Sequence, residues 1–233
     1  MCSSDLVVSA GGEAAAADRT LLAVGLFSML VAALMLLGTR DFKRMLAYSS
    51  VEHMGILSVG AALGGAGAWA ALFHVWANGL TKGALFMSAG NIHRAAGGRT
   101  IDDVRGMATL TPCSAAAFVT GMFAVTALPP FGPFFSELRV VRAAFATSHP
   151  GTAAMFLACL LFAFFGLTRL VFAIVDGAPR SKSRAMERRF PETAGVIVPA
   201  LVLLGLSLWL GLATPRVLSD AWTAAATQFF PAP

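Results

Sequence analysis

One apolar stretch of the sequence holds three polar side chains at helical spacing. In LFHVWANGLTKGALF, His74, Asn78 and Lys82 fall at positions i, i+4 and i+8, which share one face of an α-helix. At about 1.5 Å of rise per residue they form a line roughly 12 Å long. Histidine titrates near neutral pH, and a lysine removed from water gives up its proton more readily. The line therefore predicts a proton relay. The alternative is that Lys82 reaches the membrane surface and His74 bonds a nearby carbonyl.

An acid and an imidazole are adjacent in the preceding apolar stretch. Glu52 and His53 lie about one third to halfway along it. A charge at the centre of a bilayer costs about 2.5 to 3.5 kcal/mol, so ionisable groups there are usually functional. Adjacent helical residues point about 100° apart, so the two should face different neighbours, and either can pair with Lys82. The alternative is that they bond a partner subunit or cap a local helix irregularity.

Two further acidic positions are candidates for the same pathway. Glu137 follows a proline-rich break, where the freed backbone groups must line protein or a water-filled cavity. The alternative for Glu137 is an interfacial salt bridge with Arg139 or Arg142. Asp41 and Lys43 mark the expected cytoplasmic entrance of the pathway, and an ordinary loop ion pair is the alternative there.

These residues require a membrane-spanning, all-α fold to position them. Of the residues, 57% are hydrophobic and 12% charged, and the mean hydropathy is +0.75. Apolar runs of roughly 20 residues match the thickness of a hydrocarbon core. We therefore expect a polytopic membrane protein with about six transmembrane helices, at residues 20–38, 45–63, 69–92, 112–146, 151–175 and 194–212.

The fourth span should be broken by its prolines. Pro129, Pro130 and Pro133 cannot donate backbone hydrogen bonds, and each clashes with the preceding turn. The span should end before them and resume as 134–146. We expect residues 1–19 to form an extramembrane polar loop and 214–233 a tail, in which 219–230 forms an interfacial helix with Trp222, Phe229 and Phe230 near the headgroups.

The distribution of basic residues predicts the orientation in the membrane. Eleven Lys and Arg residues follow the first, third and fifth spans, and four lie on the other side. Five of the eleven form one loop, namely Arg180, Lys182, Arg184, Arg188 and Arg189. Because basic loops stay cytoplasmic, both termini should face the periplasm of a bacterial inner membrane.

Composition also excludes several classes of function. The net charge of +5 comes from short loops without a basic stripe interleaved with aromatic residues, which argues against nucleic-acid binding. Cys2, Cys113 and Cys159 lie far apart without metal-ligand spacing. The chain has no cysteine cluster, no GxGxxG after a strand and no P-loop, so we expect no metal, no cofactor and no redox chemistry of its own.

A resemblance to a known family rests on three motifs in order. The segment RDFKRMLAYSS at 40–50 resembles the D-x-K-R-x-L-A-Y-S-S/T signature of antiporter-like membrane subunits. Such subunits occur in respiratory complex I, membrane-bound hydrogenases and Mrp-type Na⁺/H⁺ antiporters. His74, Asn78 and Lys82 resemble the family's H-x-x-x-H-x-x-x-K line, and PPFGPFFSE at 129–137 resembles its broken helix with an ionisable residue.

The resemblance is closest to one branch and covers part of a typical member. EHMGI at 52–56 is most similar to hydrogenase-4 component F, also found in formate hydrogenlyase-type complexes. Members usually have about fourteen spans in two inverted repeats. Residues 20–213 resemble only the second repeat plus one helix, so we expect a C-terminal fragment, a truncated product or a split subunit. Asn78 replaces a histidine of many relatives and cannot titrate.

The resemblance implies a function for the assembly rather than for an isolated enzyme. It implies a non-catalytic, proton-translocating subunit in which redox chemistry elsewhere drives protons through Lys82, His74, Glu52, His53 and Glu137. Its partners would be membrane and peripheral subunits of a hydrogenase or complex I-like assembly, together with the lipid bilayer. The alternatives are a Na⁺/H⁺ antiporter subunit, which would also bind Na⁺, and a structural scaffold.

Overall fold

The computed structural model describes residues 3–98, 100–175 and 192–229, and its regular elements within these ranges are all helices. The helices are α1 Ser3–Gly38, α2 Phe42–Ala62, α3 Gly65–Ala96, α4 Met107–Leu110, α5 Pro112–Val125, α6 Gly132–Ala146, α7 Pro150–Val175, α8 Ala194–Leu212 and α9 Arg216–Phe229. The all-α fold predicted from the sequence is confirmed.

The helices correspond to the predicted spans in order. Three of them are long and apolar enough to cross a membrane, at Ala15–Gly38, Pro150–Val175 and Ala194–Leu212. Helices α2 and α3, of 21 and 32 residues, also have the necessary length. Their less apolar composition follows from the buried polar side chains described below. The fourth predicted span is formed by α5 and α6 together.

The predicted break in the fourth span is present. Helix α5 ends at Val125 and α6 begins at Gly132, with Pro133 in its first turn, where a missing N–H removes no helical bond. The segment between them is packed closely against α3. A Cβ added at Gly132 would lie 2.6 Å from Ala77 Cβ, so glycine allows this approach.

Helix α3 lies at the centre of the bundle. It packs against α2, α5, α6, α8 and α9. Two apolar clusters lie along it. One includes Leu46 of α2 and Leu85 of α3, and the other includes Ile56 of α2 and Ala70 of α3. The polar stretch of α2 from Ser49 to His53 therefore lies between two apolar layers.

Three loops that we expected on one side of the membrane lie at the same end of the bundle. Ile101 N donates to Arg40 O at 3.1 Å, which joins the segment after α1 to the segment after α3. The Glu192 carboxylate before α8 accepts from the backbone N–H groups of Cys113 and Ser114 at the start of α5, at 3.1 and 2.6 Å. The five-residue basic cluster at 180–189 lies outside the described residues.

Two predictions at the chain ends need correction. The first residues do not form a loop, since α1 already begins at Ser3. The predicted helix near the C-terminus is present as α9, but Trp222 is 5% exposed and packs on Trp69 and Phe73 with ring centroids 5.6 and 5.5 Å away. Trp222 is therefore held by the bundle instead of being free at its surface. Phe230 and the side chain of Phe229 lie outside the described residues.

Candidate functional site

The two buried histidines of α2 and α3 are in direct contact. His53 Nδ1 lies 2.9 Å from His74 Nε2, and the rings stack with centroids 5.1 Å apart and an interplanar angle of 27°. Both side chains are buried. Because the two helices form a hairpin, residues separated by 21 positions meet at the same depth. The alternative in which His74 bonds only a carbonyl is not what the structure shows.

The second nitrogen of His74 reaches the broken helix. His74 Nδ1 lies 2.6 Å from Ser136 Oγ, and the Ser136 hydroxyl donates to Pro133 O at 2.7 Å. Ser136 is buried in the second turn of α6. The close approach of α6 to α3 at Gly132 brings these atoms together, so the break directly positions the histidine.

Lys82 lies inside the bundle and does not extend to the membrane surface. Its Nζ donates to Ser49 Oγ on α2, and the Ser49 hydroxyl donates to Leu46 O at 3.1 Å. Lys82 is 7% exposed. Within the described residues no carboxylate oxygen lies within 4.0 Å of this ammonium group. The ion pair that we allowed for with Glu52 or His53 is thus replaced by a serine contact.

The two buried carboxyl groups lie near one another, and Glu52 also lies near Lys82. Glu52 is close enough to interact electrostatically with Lys82, Glu137 and Cys159. His53 instead faces His74, as the 100° separation of adjacent residues predicts. Both carboxyl groups are buried, so a negative charge on one opposes a negative charge on the other.

Glu137 does not form the salt bridge considered as an alternative. It is 4% exposed, and its Oε1 has no hydrogen-bond partner among the residues that the structure describes. Arg139 instead stacks over the Trp69 ring at 4.0 Å from its centroid. A cavity of about 350 Å³ lies beside the break between α5, α6 and α7, and Glu137 lines it together with Thr126 and Leu128. Apart from Glu137 and Thr126, the residues that line this cavity are apolar.

Three of these groups could also hold a cation. One ligand atom from each of His53, His74 and Glu137 lies within 4.8 Å of the other two. Two imidazoles and a carboxylate are donors that divalent transition metals accept. Asn78, one helical turn from His74, is 7% exposed, and within the described part of the chain its Oδ1 has no hydrogen-bond partner. The same open acceptors would equally bind the hydrogens of water.

Asp41 and Lys43 lie apart from the buried cluster. Asp41 is the N-cap of α2, and its Oδ1 accepts from the backbone N–H groups of Lys43 and Arg44 at 2.8 and 3.1 Å. The Lys43 side chain is exposed. The structure gives Asp41 a capping role in place of the loop ion pair, and their role as an entrance stays a prediction.

The structure thus brings together the five residues chosen for the relay, namely Glu52, His53, His74, Lys82 and Glu137. Sequence reasoning missed Ser49 and Ser136 as members of this cluster. A signal existed for both: Ser49 lies one turn before His53 on α2, and Ser136 directly precedes Glu137. Buried serines are common in membrane helices, so neither position stood out.

Comparison with known sequences identifies relatives over most of the chain. The profile described as NADH:quinone oxidoreductase/Mrp antiporter, transmembrane, matches residues 6–178. The Hydrogenase-4 component F homolog of Methylacidiphilum infernorum is 40% identical over 208 residues, which cover 85% of this chain and 44% of the relative. NADH-quinone oxidoreductase subunit N of Desulforudis audaxviator is 33% identical over 204 residues, which cover 82% of this chain and 40% of the relative. The chain spans less than half the length of either.

Solved structures show the same fold. A chain of respiratory complex I from Thermus thermophilus with bound NADH superposes with a TM-score of 0.78 at 25% identity, covering 92% of this chain and 45% of that one. A chain of the Mrp complex from Dietzia sp. DQ12-45-1b gives a TM-score of 0.78 at 23% identity, covering 92% and 48%. Both superpositions again leave about half of the larger chain unmatched.

Proposed function

Because this chain belongs to the NADH:quinone oxidoreductase/Mrp antiporter transmembrane family, we propose that it is the proton-conducting part of a membrane subunit in a hydrogenase-4-like or NADH:quinone oxidoreductase-like complex. Redox chemistry in other subunits supplies the driving force, and this chain supplies the pathway. It contributes no redox centre, cofactor or metal of its own. Its partners are the remaining membrane and peripheral subunits, the lipid bilayer and protons.

One observation supports this proposal above the others: five ionisable side chains from three helices form one buried cluster. Isolated ionisable groups are rare in membrane interiors because burial is costly. Here His53 and His74 share a hydrogen bond, and Glu52 lies close enough to Lys82 and Glu137 to interact with both. A charge that arrives at one group therefore changes the proton affinity of the next.

The proposed path enters near Asp41 and Lys43 and continues through Lys82, then Glu52, His53 and His74, to Glu137. Glu137 lines a cavity at the far end of this path. In this proposal residues 20–213 form the transmembrane domain, 1–19 and 214–233 lie outside it, and both termini face the periplasm of a bacterial inner membrane. The basic residues counted on the opposite side support that orientation.

A Na⁺/H⁺ antiporter subunit is the second candidate. The matched family profile, whose description includes Mrp antiporters, supports it. Transport assays with and without Na⁺ separate the two functions. A pump of protons alone keeps its rate in sodium-free buffer, whereas an antiporter loses it.

Lys82 variants test the proposal in membrane vesicles that contain the assembled complex. Lys82→Ala should abolish proton translocation, and Lys82→Arg should impair it because arginine does not release its proton. Native gels establish that each variant is assembled. Arg169→Ala is the matched control. Arg169 lies away from the cluster, where it donates a hydrogen bond of 2.7 Å to Leu37 O, so the complex with this variant should translocate protons normally.

The outcomes separate transport from a purely structural role. Loss of translocation in an assembled Lys82→Ala complex supports the relay. Normal translocation in that complex rejects it. Loss of assembly in Lys82→Ala together with normal function of Lys82→Arg would favour the scaffold.

A further inference from the structure

The hydrogen of one buried serine fixes the roles of its neighbours. The Ser136 hydroxyl lies 2.7 Å from Pro133 O, and a carbonyl oxygen can only accept a hydrogen bond. The single hydroxyl hydrogen of Ser136 is therefore used in this bond. His74 Nδ1, 2.6 Å from Ser136 Oγ, must then be the donor of the second bond.

The tautomer of His74 determines the direction of the bond between the histidines. A neutral imidazole carries one N–H, so His74 with its hydrogen on Nδ1 has a bare lone pair on Nε2. His53 Nδ1, 2.9 Å from that lone pair, must be the donor. The hydrogen of neutral His53 is then on Nδ1, and its Nε2 is an open acceptor. That nitrogen is buried and has no partner among the described residues.

Ser49 has the same arrangement at the other end of the cluster. Its hydroxyl donates to Leu46 O at 3.1 Å, three residues earlier in α2, as Ser136 donates to Pro133 O in α6. Its oxygen is left to accept from Lys82 Nζ. Each serine thus holds a nitrogen of the cluster as a donor.

We propose that Ser136 and Ser49 are positioning residues that give the relay its direction. Ser136 keeps the hydrogen of His74 on Nδ1, so that His74 Nε2 accepts a hydrogen bond from His53. Ser49 keeps Lys82 as the donor of its hydrogen bond to α2. His53 Nε2, the open acceptor, is then the nitrogen at which the histidine pair takes up a proton. The inference rests on the proposed function, which it deepens.

The transfer step follows from these bonds. A proton that arrives on His53 Nε2 makes this ring an imidazolium with hydrogen on both nitrogens. The hydrogen on His53 Nδ1 then moves along the 2.9 Å bond to His74 Nε2. His53 ends neutral with its hydrogen on Nε2, and His74 ends as the imidazolium. One proton is taken up and one positive charge has moved by one ring.

Nitrogen-15 NMR of the protein in lipid bilayers tests the tautomer directly. The chain has four histidines, so the ring signals can be resolved, and His74→Gln assigns those of His74. In the wild type, His74 should show a protonated Nδ1 and a bare Nε2. Ser136→Ala should lower the population ratio of that tautomer by about fivefold, the change expected when one hydrogen bond is lost. Ser136→Thr, which keeps a hydroxyl, should restore it.

Ser88→Ala is the matched control. Ser88 is a buried serine of α3 that donates to Ala84 O of its own helix. The loss of its hydroxyl should leave the His74 spectrum unchanged. A wild-type spectrum with hydrogen on His74 Nε2, or a Ser136→Ala spectrum identical to the wild type, would overturn the inference.

Proton translocation by the assembled complex completes the test. Ser136→Ala and Ser49→Ala should each slow it by about fivefold or more, and Ser136→Thr and Ser88→Ala should not. If Ser136→Ala shifts the tautomer but translocation stays normal, while Lys82→Ala abolishes it, the positioning role is rejected and the proposed function stands. If Lys82→Ala also translocates normally, the proposed function itself is rejected.

Discussion

A single methyl group at Gly132 should impair proton translocation although no ionisable residue is changed. A Cβ at this position would lie 2.6 Å from Ala77 Cβ, whereas ordinary contacts of this kind fall between 3.4 and 4 Å. The φ angle of Gly132 lies outside the left-handed region, so alanine suits the backbone itself. The strain therefore arises between α6 and α3.

The size of the effect follows from the geometry. Relief of the clash requires the two helices to separate by about 1 Å, and overpacking of this kind typically costs about 1 to 3 kcal/mol. Ser136 lies one turn after Gly132, and His74 lies one turn before Ala77. The bond between His74 Nδ1 and Ser136 Oγ, now 2.6 Å long, would lengthen to about 3.6 Å and cease to be a hydrogen bond.

The assay compares single and double variants for translocation in vesicles and for thermal unfolding. Gly132→Ala should lower both the rate and the melting temperature. Ala77→Gly removes the opposing methyl group, so the double variant should recover translocation. Its free energy of unfolding should stay lower than that of the wild type by roughly 1 kcal/mol, the cost of glycine within a helix. Gly79→Ala is the control, because a Cβ at Gly79 would have no described atom within 4 Å.

Two results would refute this reasoning. Gly132→Ala could be assembled and as active as the wild type, in which case the close packing at the break does not position the relay. Alternatively, the double variant could be assembled and inactive, which would mean that the glycine serves some purpose other than the approach to Ala77.

Two further predictions concern the acidic residues. Asp41→Ala should lower the free energy of unfolding by about 1 kcal/mol, since α2 loses its N-cap, and Asp41→Asn should retain most of it. Thermal unfolding measures both, and loss of translocation in an assembled, stable Asp41→Asn complex would show that the charge itself is required. Glu137→Gln keeps the shape of the side chain but cannot ionise, so translocation should fall at least tenfold with normal assembly on native gels, while the exposed Asp220→Asn stays active. Normal transport by Glu137→Gln would contradict a carrier role for this carboxyl group.

Much of the fold was predictable because the relevant signals are local. The predicted sixth span, 194–212, coincides with α8, and the prolines at 129, 130 and 133 correctly indicated the break. The spacing of His74, Asn78 and Lys82 correctly indicated one buried helix face. Hydrophobic periodicity and proline chemistry depend only on neighbours along the chain, so the sequence contains this information.

The contacts within the site could not be predicted in the same way. Ser136 and His74 are 62 residues apart, and their contact depends on how closely α6 approaches α3 at Gly132. Likewise, Trp222 has the composition of an interfacial anchor, but Trp69 and Phe73 provide a buried aromatic contact for it. Sequence patterns specify which residues are available, whereas tertiary packing decides their partners.

The tight turn between α2 and α3 also bears on how the chain enters the membrane during synthesis. Gly64 and Gly65, with φ angles of 63° and 41°, join the two helices directly, so they can insert as a hairpin. Within that hairpin His53 Nδ1 and His74 Nε2 already share a hydrogen bond, which lowers the cost of exposing these two nitrogens to lipid. Ser136 is translated later, so His74 Nδ1 lacks its hydrogen-bond partner, the Ser136 hydroxyl, until then. The broken helix supplies that partner, so the polar cluster is complete only once this helix is in place.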